Sequence, residues 1–234
     1  TGYRIFNGGF TGHYGDYSTG CAQVILPYVI GSNGVYEQQT AWEVLAEKCE
    51  LLVMWGADPT VTNDIDWVTT IHENAEGMEM VKKAGVPVIA INPLKPDAAE
   101  YFGKNCQWIA PKPGTDVAMM LGMAYELETS GKVDREFIRK YTVGYDKFIA
   151  YVLGKTDGKA KTPEWAEKIC DVKADAIKSL AHLMREKRSM LMGGWGIQRA
   201  QHGEQVHWMM VVLAAMCGHI GQPGGGFGFS YHYS

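Results

Sequence analysis

Four short apolar runs constrain this chain more than anything else in it. They are Leu51 to Trp55, Val86 to Ile91, Gln107 to Ala110 and Ser189 to Met192. Each is stopped by turn-forming residues, and stretches of helical composition separate it from the next. None shows the apolar–polar alternation of a half-exposed strand, which is the pattern expected of strands buried on both faces. Strands that alternate with helices pack as a parallel sheet covered on both sides. The predicted fold is therefore α/β: a doubly wound, mostly parallel, Rossmann-like sheet with helices on both faces.

The segments between the runs carry ordinary helix punctuation. A helix is expected over 19–30, running up to Gly31, and another over 75–84, ended by Gly85. Thr115 or Asp116 opens a third, with an apolar face at Val117, Met120, Leu121 and Ala124. Further helices are expected over 134–141, 145–153, 163–169, 174–185 and 204–216. The close, from Gly221 to Gly228, reads as glycine-rich loop. The opening, rich in Gly, Tyr and Thr, has no sustained period, so the chain divides into a leading segment, 1–30, and an α/β domain, 31–234.

Composition removes several functional classes. The formal charge of -4 over 234 residues leaves no basic field for nucleic acid. The longest apolar runs, such as Met209 to Cys217, are too short to insert across a bilayer. Cys21, Cys49, Cys106, Cys170 and Cys217 are scattered without a C-x-x-C pair, so free thiols formed in a reducing compartment are expected. His202 and His207 lie five apart, off one helical face, and make poor joint metal ligands.

In open α/β sheets, ligands bind beyond the carboxyl ends of the strands. Here those ends lead into Gly56-Ala57-Asp58-Pro59, Asn92-Pro93, Pro113-Gly114-Thr115-Asp116 and Gly193-Gly194-Trp195-Gly196. Neither the G-x-G-x-x-G fingerprint nor a P-loop is present. Asp116 at a helix start has two readings: a cap for its own backbone, or a carboxylate matching the adjacent ring N–H and amino group of guanine. Free N–H groups at the same helix start suit phosphate. Ser18, by spacing alone, is a turn or cap serine.

Taken together, these motifs resemble a known family. Gly15-Asp16-Tyr17-Ser18-Thr19-Gly20, Tyr36-Glu37-Gln38-Gln39-Thr40-Ala41-Trp42, Trp55-Gly56-Ala57-Asp58-Pro59, Ile91-Asn92-Pro93 and Pro113-Gly114-Thr115-Asp116 carry the resemblance. So do Gly194-Trp195-Gly196-Ile197-Gln198-Arg199, His202-Gly203-Glu204-Gln205 and the ending Pro223-Gly224-Gly225-Gly226-Phe227-Gly228 with Ser230-Tyr231-His232-Tyr233-Ser234. In this order they resemble the molybdopterin oxidoreductases of the dimethyl sulfoxide, trimethylamine N-oxide and biotin sulfoxide reductase branch, and the resemblance implies that the chain is an internal fragment of such an enzyme.

The resemblance implies molybdenum held by bis(molybdopterin guanine dinucleotide), with Ser18 as metal ligand and catalytic residue; an alkoxide is a hard donor suited to high-valent metal. It implies cofactor contacts from Val61 and Thr62 in the loop after the first strand and from Ile91 and Asn92 after the second. Gly114, Thr115 and Asp116 are implied at a guanosine end. Trp195, Gly196 and Arg199 are implied at the pterin or its phosphates, where a guanidinium can grip two oxygens together. It further implies an S-oxide or N-oxide substrate, the remaining domains of the same enzyme, an external donor such as a c-type cytochrome, and a periplasmic location. The isolated fragment is expected to be inactive. A non-catalytic guanine-nucleotide module and a formate-dehydrogenase-like relative are the alternatives; serine in place of sulfur or selenium weighs against the second.

Overall fold

The computed structural model describes residues 18–34, 39–65 and 72–229. Gly15 to Tyr17, Tyr36 to Gln38 and Ser230 to Ser234 of the motifs above lie outside the described residues. Five strands form one sheet in the order β3-β2-β1-β4-β5. They are β1 (Leu51–Trp55), β2 (Val88–Ile91), β3 (Cys106–Ile109), β4 (Ser189–Gly193) and β5 (Gly226–Phe229). Every pairing is parallel. The register sets Trp55 beside Ile91 and Gly193, Ile91 beside Ile109, and Gly193 beside Phe229. All five strands thus end at one level, and the loops that follow β1, β2, β3 and β4 share one edge.

The absence of alternation in β1 has the expected cause. All its side chains are buried, Leu51, Val53 and Trp55 in one core and Leu52 and Met54 in the other. The second core is closed by α2 (Trp42–Lys48), α4 (Glu73–Lys83) and α5 (Asp97–Phe102). The first, larger core takes α1 (Gly20–Ile30), α6 (Asp116–Thr129), α7 (Arg135–Tyr141), α8 (Tyr145–Val152), α9 (Pro163–Cys170), α10 (Ala174–Glu186) and α11 (Glu204–Cys217). A fully buried Leu, Val or Met contributes about 1.5–3 kcal/mol, so these two apolar layers dominate the stability of the sheet. Among the described residues no helix is long and apolar enough to cross a membrane. All five cysteines are free thiols, and burial pushes that of Cys217 up to about 12.

Three short helices and one strand were not expected from sequence. The one-turn helix α3 (Pro59–Thr62) takes up the loop in which Val61 and Thr62 were placed. The start of α5 is capped from a distance: the Asp58 carboxylate accepts from Asp97 N at 2.8 Å and from Ala98 N at 3.3 Å. At α2, the Trp42 ring lies over Gly77, where a Cβ would fall 2.1 Å from the ring. The Trp42 indole also donates to Asn74 Oδ1 at 3.1 Å.

The glycine-rich close read as loop is in part β5. Glycine disfavours strands because it has nothing to pack, and local composition therefore points to loop. What decides is pairing with β4 and the packing of the Phe229 ring, so close that a Cβ on Gly193 would come within 3.0 Å of it.

Candidate functional site

β2 and β3 lie to one side of β1, and β4 and β5 to the other, so the order reverses between β1 and β4. Such a switch point opens a crevice beyond the strand ends. Two glycines build its floor. Gly56, at φ +60°, donates from its N–H to Ile91 O at 2.8 Å, while Gly194 donates to Trp55 O at 2.9 Å. A Cβ on Gly194 would lie 1.8 Å from Gly56 O, and one on Gly56 would lie 2.1 Å from Ile197 Cγ2. The two loops meet backbone to backbone.

Beyond Gly194 the chain makes a 3-10 turn, Gly196–Gln198, that turns Gln198 inward. Gln198 is 1% exposed, and its amide group grips the start of α1. Nε2 donates to Ser18 O at 2.6 Å, and Oε1 accepts from Ala22 N at 2.7 Å. The exposed Ser18 is thereby tied to the switch-point loop.

Asp116 is tied to the same point from the other direction. It opens α6, is 8% exposed, and its Oδ1 accepts from the indole N–H of Trp55, the last residue of β1, at 2.8 Å. Burial pushes its carboxyl above the usual carboxylate range, and the Trp55 bond acts against that shift. Thr115 is the N-cap residue but caps nothing with its side chain; its Oγ1 donates instead to Lys112 O at 2.6 Å. A cavity of about 220 Å³ separates this helix start from the 197–206 segment, with Gly114, Asp116, Ile197 and His202 in its wall.

The other expected site residues are distributed as follows. Val61 and Thr62 are exposed on α3. Ile91 turns its side chain into the core and offers only its carbonyl, already used by Gly56. Asn92 is half-buried; its amide donates to Ala57 O at 3.4 Å, and its carbonyl accepts from the Trp108 indole at 2.8 Å. Gly114 is exposed at φ +73°. Trp195 is buried against His207 and Phe229. Gly196 and Arg199 are exposed, and Arg199 forms no ion pair among the described residues. A separate cavity of about 780 Å³ between α6, α8 and α11 is lined by none of these residues.

Sequence reasoning missed Gln198 and Trp55 as supporting residues. Gln198 contacts a backbone 176 positions away, and no local pattern announces such a bond.

His207 supports the site from below. It is fully buried on α11, between Trp195 and Phe229. Its Nε2 lies 3.3 Å from Gly194 O, and a carbonyl only accepts, so the proton sits on Nε2; Nδ1 has no partner among the described residues. Burial lowers its pKa to about 4. The unfolded chain takes up this proton near 6.5 and the folded one only near 4. The stability contribution is thus complete above pH 6.5 and lost as pH falls through 4. The difference amounts to roughly 3 kcal/mol at about 1.4 kcal/mol per unit. His207→Gln, which keeps the donor to Gly194, is expected to remove that part of the slope. Urea midpoints between pH 7 and pH 4 that change equally in both proteins would count against it.

A parallel sheet in this order, with a glycine-floored crevice at its reversal, defines a doubly wound α/β domain. The chain belongs to the molybdopterin oxidoreductase family, whose model matches residues 2–234. It is 52% identical over 232 residues to trimethylamine-N-oxide reductase of Haemophilus influenzae, covering 99% of this chain and 28% of that protein. It is 53% identical over 227 residues to dimethyl sulfoxide/trimethylamine N-oxide reductase of Rhodobacter capsulatus, covering 97% and 27%. The chain therefore spans little more than a quarter of the length of these relatives. Among solved structures, acetylene hydratase from Pelobacter acetylenicus superposes with a TM-score of 0.59 at 17% identity, covering 89% of this chain and 28% of that one, which shows a shared fold.

The family implies molybdenum and molybdopterin, and the residues present fit such a group. Gly114 and Gly196 face open space where a Cβ would meet nothing within 4 Å. The exposed Arg199 follows the same turn, and Gln198 ties the backbone of the exposed Ser18 to it.

Proposed function

We propose that this chain is the part of a molybdenum oxidoreductase that carries the metal's serine ligand and holds part of a bis(molybdopterin guanine dinucleotide) cofactor, in an enzyme that reduces S-oxides or N-oxides by oxygen-atom transfer. The observation that carries the reading is the tether from the switch point through Gln198 to Ser18. The names of the relatives supply the substrate class. The bound cofactor supplies two-electron, oxo-exchanging chemistry that no side chain can. Overall, an oxide takes two electrons and two protons and leaves as the sulfide or amine with water.

In this reading the leading segment, 1–30, brings Ser18 to the metal, and 31–234 shapes the crevice. Arg199 and the N–H groups at the start of α6 hold phosphate oxygens, and Trp195 and Gly196 lie along the pterin. Gly114, Thr115 and Asp116 receive guanosine. Asp116 Oδ1 already accepts from Trp55, so a guanine gripping both oxygens shares Oδ1 with the indole. Val61, Thr62 and Asn92 contribute at the rim and Ile91 only through its backbone. The remaining domains complete the site, an external donor such as a c-type cytochrome delivers electrons, and the enzyme works in the periplasm.

The test uses the complete protein. Molybdenum analysis should show stoichiometric metal, and a panel of sulfoxides and N-oxides should oxidise a reduced dye; a metal-free protein would end the proposal. Asp116→Asn tests the guanosine end. A hydrogen-bond pair to a charged group is worth about 1.5–3 kcal/mol, so guanosine monophosphate should bind the cofactor-free variant about tenfold to a hundredfold more weakly. Asparagine still accepts from Trp55 and removes a buried charge, so stability should not fall. Unchanged affinity would make Asp116 a purely structural cap.

A further inference from the structure

The start of α1 is capped in trans. A helix leaves its first N–H groups without intrahelical partners, and a side chain at the N-cap ordinarily serves one of them. Here the N-cap residue is Thr19, which makes no side-chain cap bond to its helix. Gln198 acts in its place: Oε1 accepts from Ala22 N, the third residue of the helix, and Nε2 donates to Ser18 O, the residue before the cap. These two bonds, at 2.7 and 2.6 Å, fix the backbone that leaves Ser18, from its own carbonyl to Ala22 N.

Gln198 is itself held tightly. It is almost wholly buried, and Arg199 N closes the turn onto Gly196 O at 3.1 Å. A Cβ on Gly203 would fall 1.7 Å from Gln198 O, so the returning chain presses on its backbone. The preceding residue, Ile197, packs on Gly56 at the end of β1. A rigid path therefore runs from the two central strands through Gln198 to the Ser18 turn.

We infer that Gln198 is a positioning residue, which sets where the Ser18 oxygen stands relative to the switch-point crevice by trans-capping α1. The inference rests on the proposed role of Ser18 as the molybdenum ligand. Gln198 touches the Ser18 carbonyl and the helix start that follows it, and acts on the metal only through them.

The experiment compares Gln198→Met and Gln198→Glu in the full-length holoenzyme. Methionine keeps the volume and loses both bonds. Glutamate keeps the acceptor for Ala22 N, so it preserves the helix start if methionine prevents folding, but it sets a carboxylate oxygen against Ser18 O. The readouts are the absorption spectrum and midpoint potential per bound molybdenum, kcat and KM, and amide exchange at Ala22 in the cofactor-free protein. Both variants should shift spectrum and potential. They should lower kcat by about 10²-fold, the scale of an ångström-size misplacement, with KM little changed. Ala22 exchange should quicken in the methionine variant only.

Variants that load molybdenum and show the parental spectrum and potential would overturn the inference, even if they melt earlier, because a merely structural role predicts that pattern. Failure of the underlying reading looks different. Ser18→Ala would then leave the spectrum per molybdenum unchanged, while Ala22 exchange would still report the trans cap.

Discussion

Gly194→Ala is expected to cost about 3 kcal/mol or more and to disable the crevice. The new Cβ would lie 1.8 Å from Gly56 O, 2.5 Å from Gly56 C and 2.9 Å from Ala57 N. All three neighbours are backbone, so no rotamer change can relieve the clash. β1 and β4 must part at their ends, straining the 2.9 Å bond from Gly194 N to Trp55 O. Overpacking costs about 1–3 kcal/mol and occasionally more, and a lost hydrogen bond adds about 0.5–1.5 kcal/mol. Against a total stability of about 5–15 kcal/mol, that is a large fraction. Gly196→Ala is the control: its Cβ would meet nothing within 4 Å, and surface changes of this kind stay within about 0.5 kcal/mol. Equal urea midpoints for the two variants would refute the close approach of the loops.

Ser18→Ala should produce the opposite pattern, intact folding with activity lost. Ser18 is exposed, and the bond it gives the fold comes from its carbonyl, which alanine retains. The melting temperature should therefore stay close to that of the parent, within the change expected of about 0.5 kcal/mol. Removing even the outer partner of a metal ligand costs about 10–100-fold, so losing the ligand itself should lower oxide reduction by more than about 10²-fold in the full-length enzyme. Parental activity in the alanine variant would remove Ser18 from the metal.

The contrast between these two substitutions also marks what could be read from residues alone. Ser18 stands out only through motif resemblance, because by spacing it is an ordinary turn or cap residue, whereas the position of Asp116 at a helix start left a cap and a guanine partner both open. Gly194 stands out as a turn glycine, but the reason it must be glycine is Gly56, which belongs to a different strand end. Gln198 lies within a resembling motif, but nothing local marks it as a cap, since its two partners sit near the opposite end of the chain. Asp58 likewise read as turn chemistry, whereas it caps a helix that begins at Asp97.

The sequence by itself determined the parallel α/β class, because unbroken apolar runs such as Leu51 to Trp55 can be satisfied only by burial on both faces. It also determined the main helices, whose periodic faces and glycine stops are local properties. The tertiary structure alone decided that Gly226 to Phe229 is a strand, that Asp116 is bound by Trp55, and that Gln198 caps α1. Each depends on a partner distant along the chain, and hydrogen bonding and packing across such distances leave no period or spacing in the residues between.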